Sequence, residues 1–153
     1  MLKLFRNVLG CYVMDSMEYL EKISYHDTVE FVPPITAGKV IKVYDGDTIT
    51  IASKLPNMDK PIYRFHVRLN GIDTPEIKGK TPEEKVLAFQ AKEALNQLIF
   101  GKIVTLKNIN TEKYGRILAD VYLDNVNISD WMIQHKYAVK YDGGTKQRPS
   151  EWG

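Results

Sequence analysis

The chain has 153 residues, with 44% hydrophobic and 26% charged residues. That length suits one domain of ordinary size, and no apolar run reaches the about 18 residues that a membrane-spanning helix requires. One cysteine, Cys11, rules out an intrachain disulfide and any cysteine-rich zinc centre, and a net charge of +2 neither demands nor forbids an anionic ligand.

The first 36 residues differ from the rest. They carry three Lys/Arg against five Asp/Glu, whereas residues 37–153 carry 18 against 14. Leu4, Val8, Leu9, Tyr12, Val13, Met17 and Leu20 recur at roughly helical spacing, which predicts an amphipathic helix that ends before Pro33-Pro34. Residues 1–36 are therefore read as an N-terminal extension and 37–153 as the domain. The apolar stretch after Lys3 and Arg6 is short, is closed by Asp15 and has no small-residue cleavage site. An intracellular or peripherally membrane-associated setting is thus favoured over secretion. The extension could meet a membrane, through acylation of Cys11, but a helix packed on the domain or on a protein partner with a buried cysteine is the simpler reading.

From Ala37 onward the pattern is β. The segments "KVIKVY", "TITIA", "RFHVRL", "KIVTLKNI" and "RILADVYL" are rich in β-branched residues. One clear helix sits among them. Thr81 is its N-cap, Pro82 its first residue and Glu84 the third position of a capping box, with Gly101 as the stop. Leu87, Ala91, Leu95, Leu98 and Ile99 form the expected apolar stripe. A hairpin turning at Asp124-Asn125 leads to a shorter helix from about Ser129. Five strands and these two helices predict a mainly β fold, a small closed or partly open barrel. Phe65, Phe89, Phe100, Tyr122 and Trp131 are assigned to its core or support, and Tyr63 to strand packing.

Three short stretches hold the candidate chemistry: "YDGDT" at 44–48, "RLNGIDTPE" at 68–76 and "EKYGR" at 112–116. Each alone reads as a turn or a charged hairpin tip. Together they supply what phosphodiester cleavage needs. Asp47 and Asp73 are oxygen ligands for a hard divalent cation. Arg68 and Arg116 are planar donors for phosphate oxygens, and Glu76 is a carboxylate able to act on water. His26, His66 and His135 have no metal-ligand spacing.

In this order and spacing the three stretches resemble the staphylococcal nuclease (thermonuclease) family over about residues 37–141. The resemblance implies a five-stranded OB-fold barrel and a Ca²⁺-dependent nuclease that cleaves DNA and RNA with little sequence preference and leaves 3′-phosphates. It implies that Asp47, Asp73 and the Thr74 carbonyl hold Ca²⁺, with Asp45 beside the ion without ligating it. Glu76 would act on the attacking water, and Arg68 and Arg116 on the scissile phosphate. Tyr114 and Lys113 would contact a neighbouring nucleotide, and Tyr141 stands near the place of a further substrate tyrosine. A monomer is expected. The family's long C-terminal helix is expected to be missing or cut to a stub in which Trp152 packs. The alternative is an inactive nucleic-acid or protein binding module, although carboxylates without counter-charges would repel nucleic acid.

Overall fold

The computed structural model describes residues 16–146 and 149–152. The chain divides into two compact units, Met1–Phe31 and Val32–Gly153. In the first, helix α1 (Ser16–Leu20) is followed by a 3₁₀ turn at Tyr25–Asp27, where the Asp27 carboxylate accepts from both the backbone and the hydroxyl of Ser24. Met17 and Leu20 are exposed. Most of the helix expected here, and Cys11, lie outside the described residues.

The second unit is built on a barrel of five long strands: β1 (Ala37–Val43), β2 (Thr48–Ser53), β3 (Tyr63–Leu69), β5 (Ile103–Thr111) and β6 (Ile117–Leu123). All five coincide with the segments rich in β-branched residues. The antiparallel order is β3-β2-β1-β5-β6, and a parallel pairing of β3 with β6, Val67 opposite Ile117, closes the ring. This is the five-stranded OB-fold barrel. Closure removes the exposed edges that an open sheet of this size would leave. Val40, Ile49, Ile51, Val67, Leu69, Val104, Ala119 and Val121 are wholly buried inside it. No helix among the described residues is long and apolar enough to cross a membrane.

Helix α2 (Pro82–Ile99) covers the barrel and ends where Gly101 takes a φ of 77°. Its start departs from the expected box. The Thr81 side chain accepts from the Glu84 N–H at 3.1 Å, but the Glu84 carboxylate turns back to accept from the Lys80 N–H at 3.1 Å and the Glu76 N–H at 3.4 Å. The buried stripe is also rotated from its expected position: Glu84, Ala88, Ala91, Leu95 and Ile99 are buried, while Leu87 and Leu98 are only half-buried. Phe89 and Phe100, assigned to core or support, are 63% and 54% exposed. Ala88 and Ala91 lie on the face of α2 buried against the barrel, and Phe89 lies outside that face. Phe65 and Trp131 do pack against the core.

Asp124, with φ of 53°, turns the two-residue hairpin between β6 and β7 (Val126–Asn127). Helix α3 (Ile128–Gln134) follows, capped by Asn127. The chain then forms β8 (Val139–Lys140), which pairs with β4 (Ile72–Asp73) and sets Asp73 opposite Val139. A 3₁₀ turn at Ser150–Trp152 lies beside α2, with Trp152 buried and its carbonyl accepting from the Thr81 hydroxyl.

Candidate active-site cleft

Barrel register decides what meets at its open end. Thr48 starts β2 directly opposite Arg68 near the end of β3, and the 112–116 turn joins the end of β5 to the start of β6. Asp47, Arg68, Asp73 and Arg116, up to 69 positions apart in the chain, therefore converge without any of them leaving its strand end. Gly46 makes a second approach possible. A Cβ there would sit 2.9 Å from the Ala91 side chain and 3.0 Å from that of Thr74, so the 44–48 turn can nest against β4 and α2 only without a side chain.

The result is a cleft of about 980 Å³ lined by all ten residues singled out in sequence: Asp45, Asp47, Arg68, Asp73, Thr74, Glu76, Lys113, Tyr114, Arg116 and Tyr141. Along its floor the charges alternate in a connected chain. Arg116 binds Glu112 through two nitrogens, at 2.5 and 3.1 Å, and reaches the Thr48 hydroxyl at 3.4 Å. Thr48 donates to Asp47 at 2.9 Å. Arg68 pairs directly with Asp47, and its other nitrogen lies 3.4 Å from Asp73 and 3.1 Å from the Ile72 carbonyl. Lys146 then bridges Asp73 at 2.9 Å and Glu76 at 3.2 Å. Asp47 and Asp73 are only 6% and 4% exposed, so these ion pairs operate in a poorly screened setting.

Burial opposes the charge on Arg68, but Asp47, Asp73 and Asp45 outweigh it and hold its pKa above the ordinary value. The same balance holds for Lys146, where Asp73 and Glu76 overcome partial burial. For Arg116 the hydrogen bond it donates to Glu112 dominates, again upward. Asp45 moves against its own charge: burial, and behind it the adjacent Asp47, push its carboxyl up to about 6.

Among the described residues no three His, Cys, Asp or Glu side chains are grouped so as to hold a metal ion. The donor set nevertheless suits one hydrated hard cation. Such ions accept two carboxylates and fill their remaining positions with carbonyls and water, and Arg68 already touches both Asp47 and Asp73. Five carboxylates (Asp45, Asp47, Asp73, Glu76, Glu112) and three cations (Arg68, Arg116, Lys146) are linked in this network. Lys42, Lys78, Lys92 and Lys113 line the same cleft, giving an acidic floor a basic rim.

Tyr114 is 71% exposed, with Lys113 and Arg116 over its ring at 5.0 and 5.8 Å. The ring of Tyr141 lies 5.8 Å from the Arg68 guanidinium. The histidines stay apart: His66 meets Thr50 at 3.2 Å, and His135 stacks on Trp131. The sequence motifs assign no role to Glu112 or Lys146. Glu112 could have been found, four positions before the arginine it holds. Glu84 reads in sequence as a cap, whereas its carboxylate serves the 76–80 loop. For Lys146 the sequence carries no signal, since Glu76 is 70 positions away.

Fold and cleft together define a closed OB-type barrel carrying one acid-floored, basic-rimmed cleft at its strand ends. A family model described as staphylococcal nuclease homologue matches residues 66–151, and the chain belongs to that family. It is 28% identical over 172 aligned residues to an uncharacterized protein of Methanocaldococcus jannaschii, covering 90% of this chain and 78% of that one. An uncharacterized endonuclease of Escherichia coli is 30% identical over 106 residues, 69% of this chain and 61% of its own. A probable staphylococcal-like nuclease of Oryza sativa is 34% identical over 86 residues, 56% of this chain but 24% of its own length. The match thus spans about three fifths of the bacterial relative and a quarter of the plant one.

Proposed function

We propose that the chain is a Ca²⁺-dependent nuclease that hydrolyses phosphodiester bonds of DNA and RNA with little sequence preference. One observation carries the reading: two buried carboxylates and two guanidiniums share a single cleft whose rim is basic. A basic rim tracks a phosphate backbone without reading bases. Asp47, Asp73 and the Thr74 carbonyl would hold the ion. Bound there, it would supply Lewis-acid stabilisation to the phosphate and a more acidic water. Asp45 would stand beside it without ligating.

The residues of the chain do the rest. Arg68 and Arg116 donate to the non-bridging oxygens, where charge grows as water adds to phosphorus. Glu76, at the mouth of the cleft, orients that water or takes its proton. The bond to the 5′-oxygen breaks, leaving a 3′-phosphate and a 5′-hydroxyl. Tyr114 and Lys113 meet the next nucleotide, and Tyr141 flanks Arg68.

A second reading, a module that binds without cutting, draws on the ion pairs themselves. Arg68 and Lys146 already neutralise much of the acidic floor, so the carboxylates alone would not bar nucleic acid. Turnover separates the two. Plasmid, single-stranded DNA and RNA are incubated with Ca²⁺ or with a calcium chelator, and the product ends are analysed, for the parent and for Glu76→Ser and Arg116→Ala. The nuclease reading expects 3′-phosphate ends, loss of cleavage in chelator, and variants slower by about 10²–10³-fold with unchanged folds. Variants as fast as the parent would remove these roles, and binding without cleavage would establish the module.

A further inference from the structure

Lys146 lies outside all three motifs, yet its ammonium is the nearest cation to Asp73, 2.9 Å away against 3.4 Å for Arg68. It reaches Glu76 at the same time, at 3.2 Å. The segment that delivers it is folded on itself and tied to the barrel. The Tyr141 N–H donates to the Gly71 carbonyl at 2.9 Å, and the Tyr141 hydroxyl donates to the Gly144 carbonyl at 2.9 Å. The Gly144 N–H donates to Asp142 at 3.0 Å, and Gly143 turns the chain with a φ of 91°. The backbone is thus carried to the mouth of the cleft, and the lysine side chain spans what remains.

An ammonium is a compact point charge with three donors. Between Asp73 and Glu76 it occupies the carboxylate oxygens that a hard cation and its water would use. A divalent ion on Asp73 and an ammonium within about 4 Å of it repel strongly, so both cannot keep that oxygen. Arg68 is the less able to leave: its side chain is 11% exposed and is also held by Asp47 and the Ile72 carbonyl. Lys146 is 39% exposed and sits on a flexible four-carbon stem.

We propose that Lys146 is a tethered counter-ion of this site. It bridges Asp73 and Glu76 in the cation-free protein, is expelled when a divalent cation binds, and so sets the cation concentration at which the site loads. The inference rests on the metal-dependent reading above. While Lys146 is in place, Asp73 is shared and Glu76 is tied to an ammonium instead of water. Once released, the same charge joins the basic rim that faces the phosphate backbone.

The test is calcium binding to the full, metal-free chain by isothermal titration calorimetry, for the parent, Lys146→Met, Lys146→Arg and Lys92→Met. Removing the competitor should tighten calcium binding by about three- to tenfold in Lys146→Met. Lys146→Arg should bind no more tightly than the parent. Lys92→Met, which takes one charge from the rim of the same cleft, should shift by less than about twofold, as expected of a charge screened by solvent. Circular dichroism of each variant checks that it is folded. Equal affinities for the parent and Lys146→Met, or weaker binding by Lys146→Met, would overturn the inference and leave the metal-dependent reading standing. If none of the four bound calcium, both would fall together.

Discussion

Replacing Arg68 with methionine removes the guanidinium that touches both Asp47 and Asp73. Those carboxylates are 6% and 4% exposed, so neither can turn to bulk water for compensation. Stripping one partner from a buried ion pair costs about 3–5 kcal/mol. Asp73 retains Lys146 and Asp47 retains the Thr48 hydroxyl, which places the loss at the lower end, about 3 kcal/mol. At about 2–4 °C per kcal/mol for a chain of this size, the thermal midpoint in chelator should fall by roughly 6–12 °C. Calcium at about 100 times its Kd would return about 2.7 kcal/mol, close to the whole deficit. It should rescue the variant more than the parent, since in the variant it meets two buried carboxylates that have lost a neutralising charge. Cleavage would not return with stability, because a lost donor to the phosphate costs about 10²–10³-fold in rate. Thermal unfolding by circular dichroism, in chelator and in calcium, reads both effects. An unchanged midpoint in chelator, or a calcium shift no larger than the parent's, would refute the account of a self-neutralised acidic floor.

The raised pKa of Asp45 gives a pH signature. Its folded-state value of about 6 lies above the ordinary 3.8, so the stability linked to its proton is complete below about 3.8 and is lost as pH rises through 6. Asp45→Asn keeps an acceptor for the Asp47 N–H and removes the charge. Urea unfolding in chelator should show the variant more stable at pH 7 by about 1–3 kcal/mol, with the gap closing towards pH 4. A gap independent of pH would contradict this. Glu84 underlies the loop that carries Glu76. Its two oxygens accept from the Lys80 and Glu76 N–H groups, and a Cβ on Gly79 would sit 2.5 Å from its carboxyl carbon. Glu84→Gln offers one acceptor to two donors, so stability should drop by about 1–3 kcal/mol. The rate should fall about tenfold with little change in KM, as expected when a group acting in the transition state is displaced. Full activity in Glu84→Gln would show that Glu76 does not depend on it.

The local elements are legible in the residues alone. β-branched runs marked all five barrel strands, and Thr81, Pro82 and Gly101 marked the ends of α2, because these signals come from each residue's own backbone preferences and those of near neighbours. The sequence also contained residues that line the cleft, in three stretches whose order resembles one family. Tertiary structure decided how they are paired. Glu84 looks like a capping-box residue until the 76–80 loop folds over it and offers better donors. Phe89 looks like core until small residues at 88 and 91 set which face of α2 meets the barrel. Lys146 has no meaning in the sequence, because its partners are 70 and 73 positions away and meet it only after β4 pairs with β8. Propensity acts within a few bonds, whereas ion pairing acts through space, so the charge pattern of this cleft exists only once the barrel has closed.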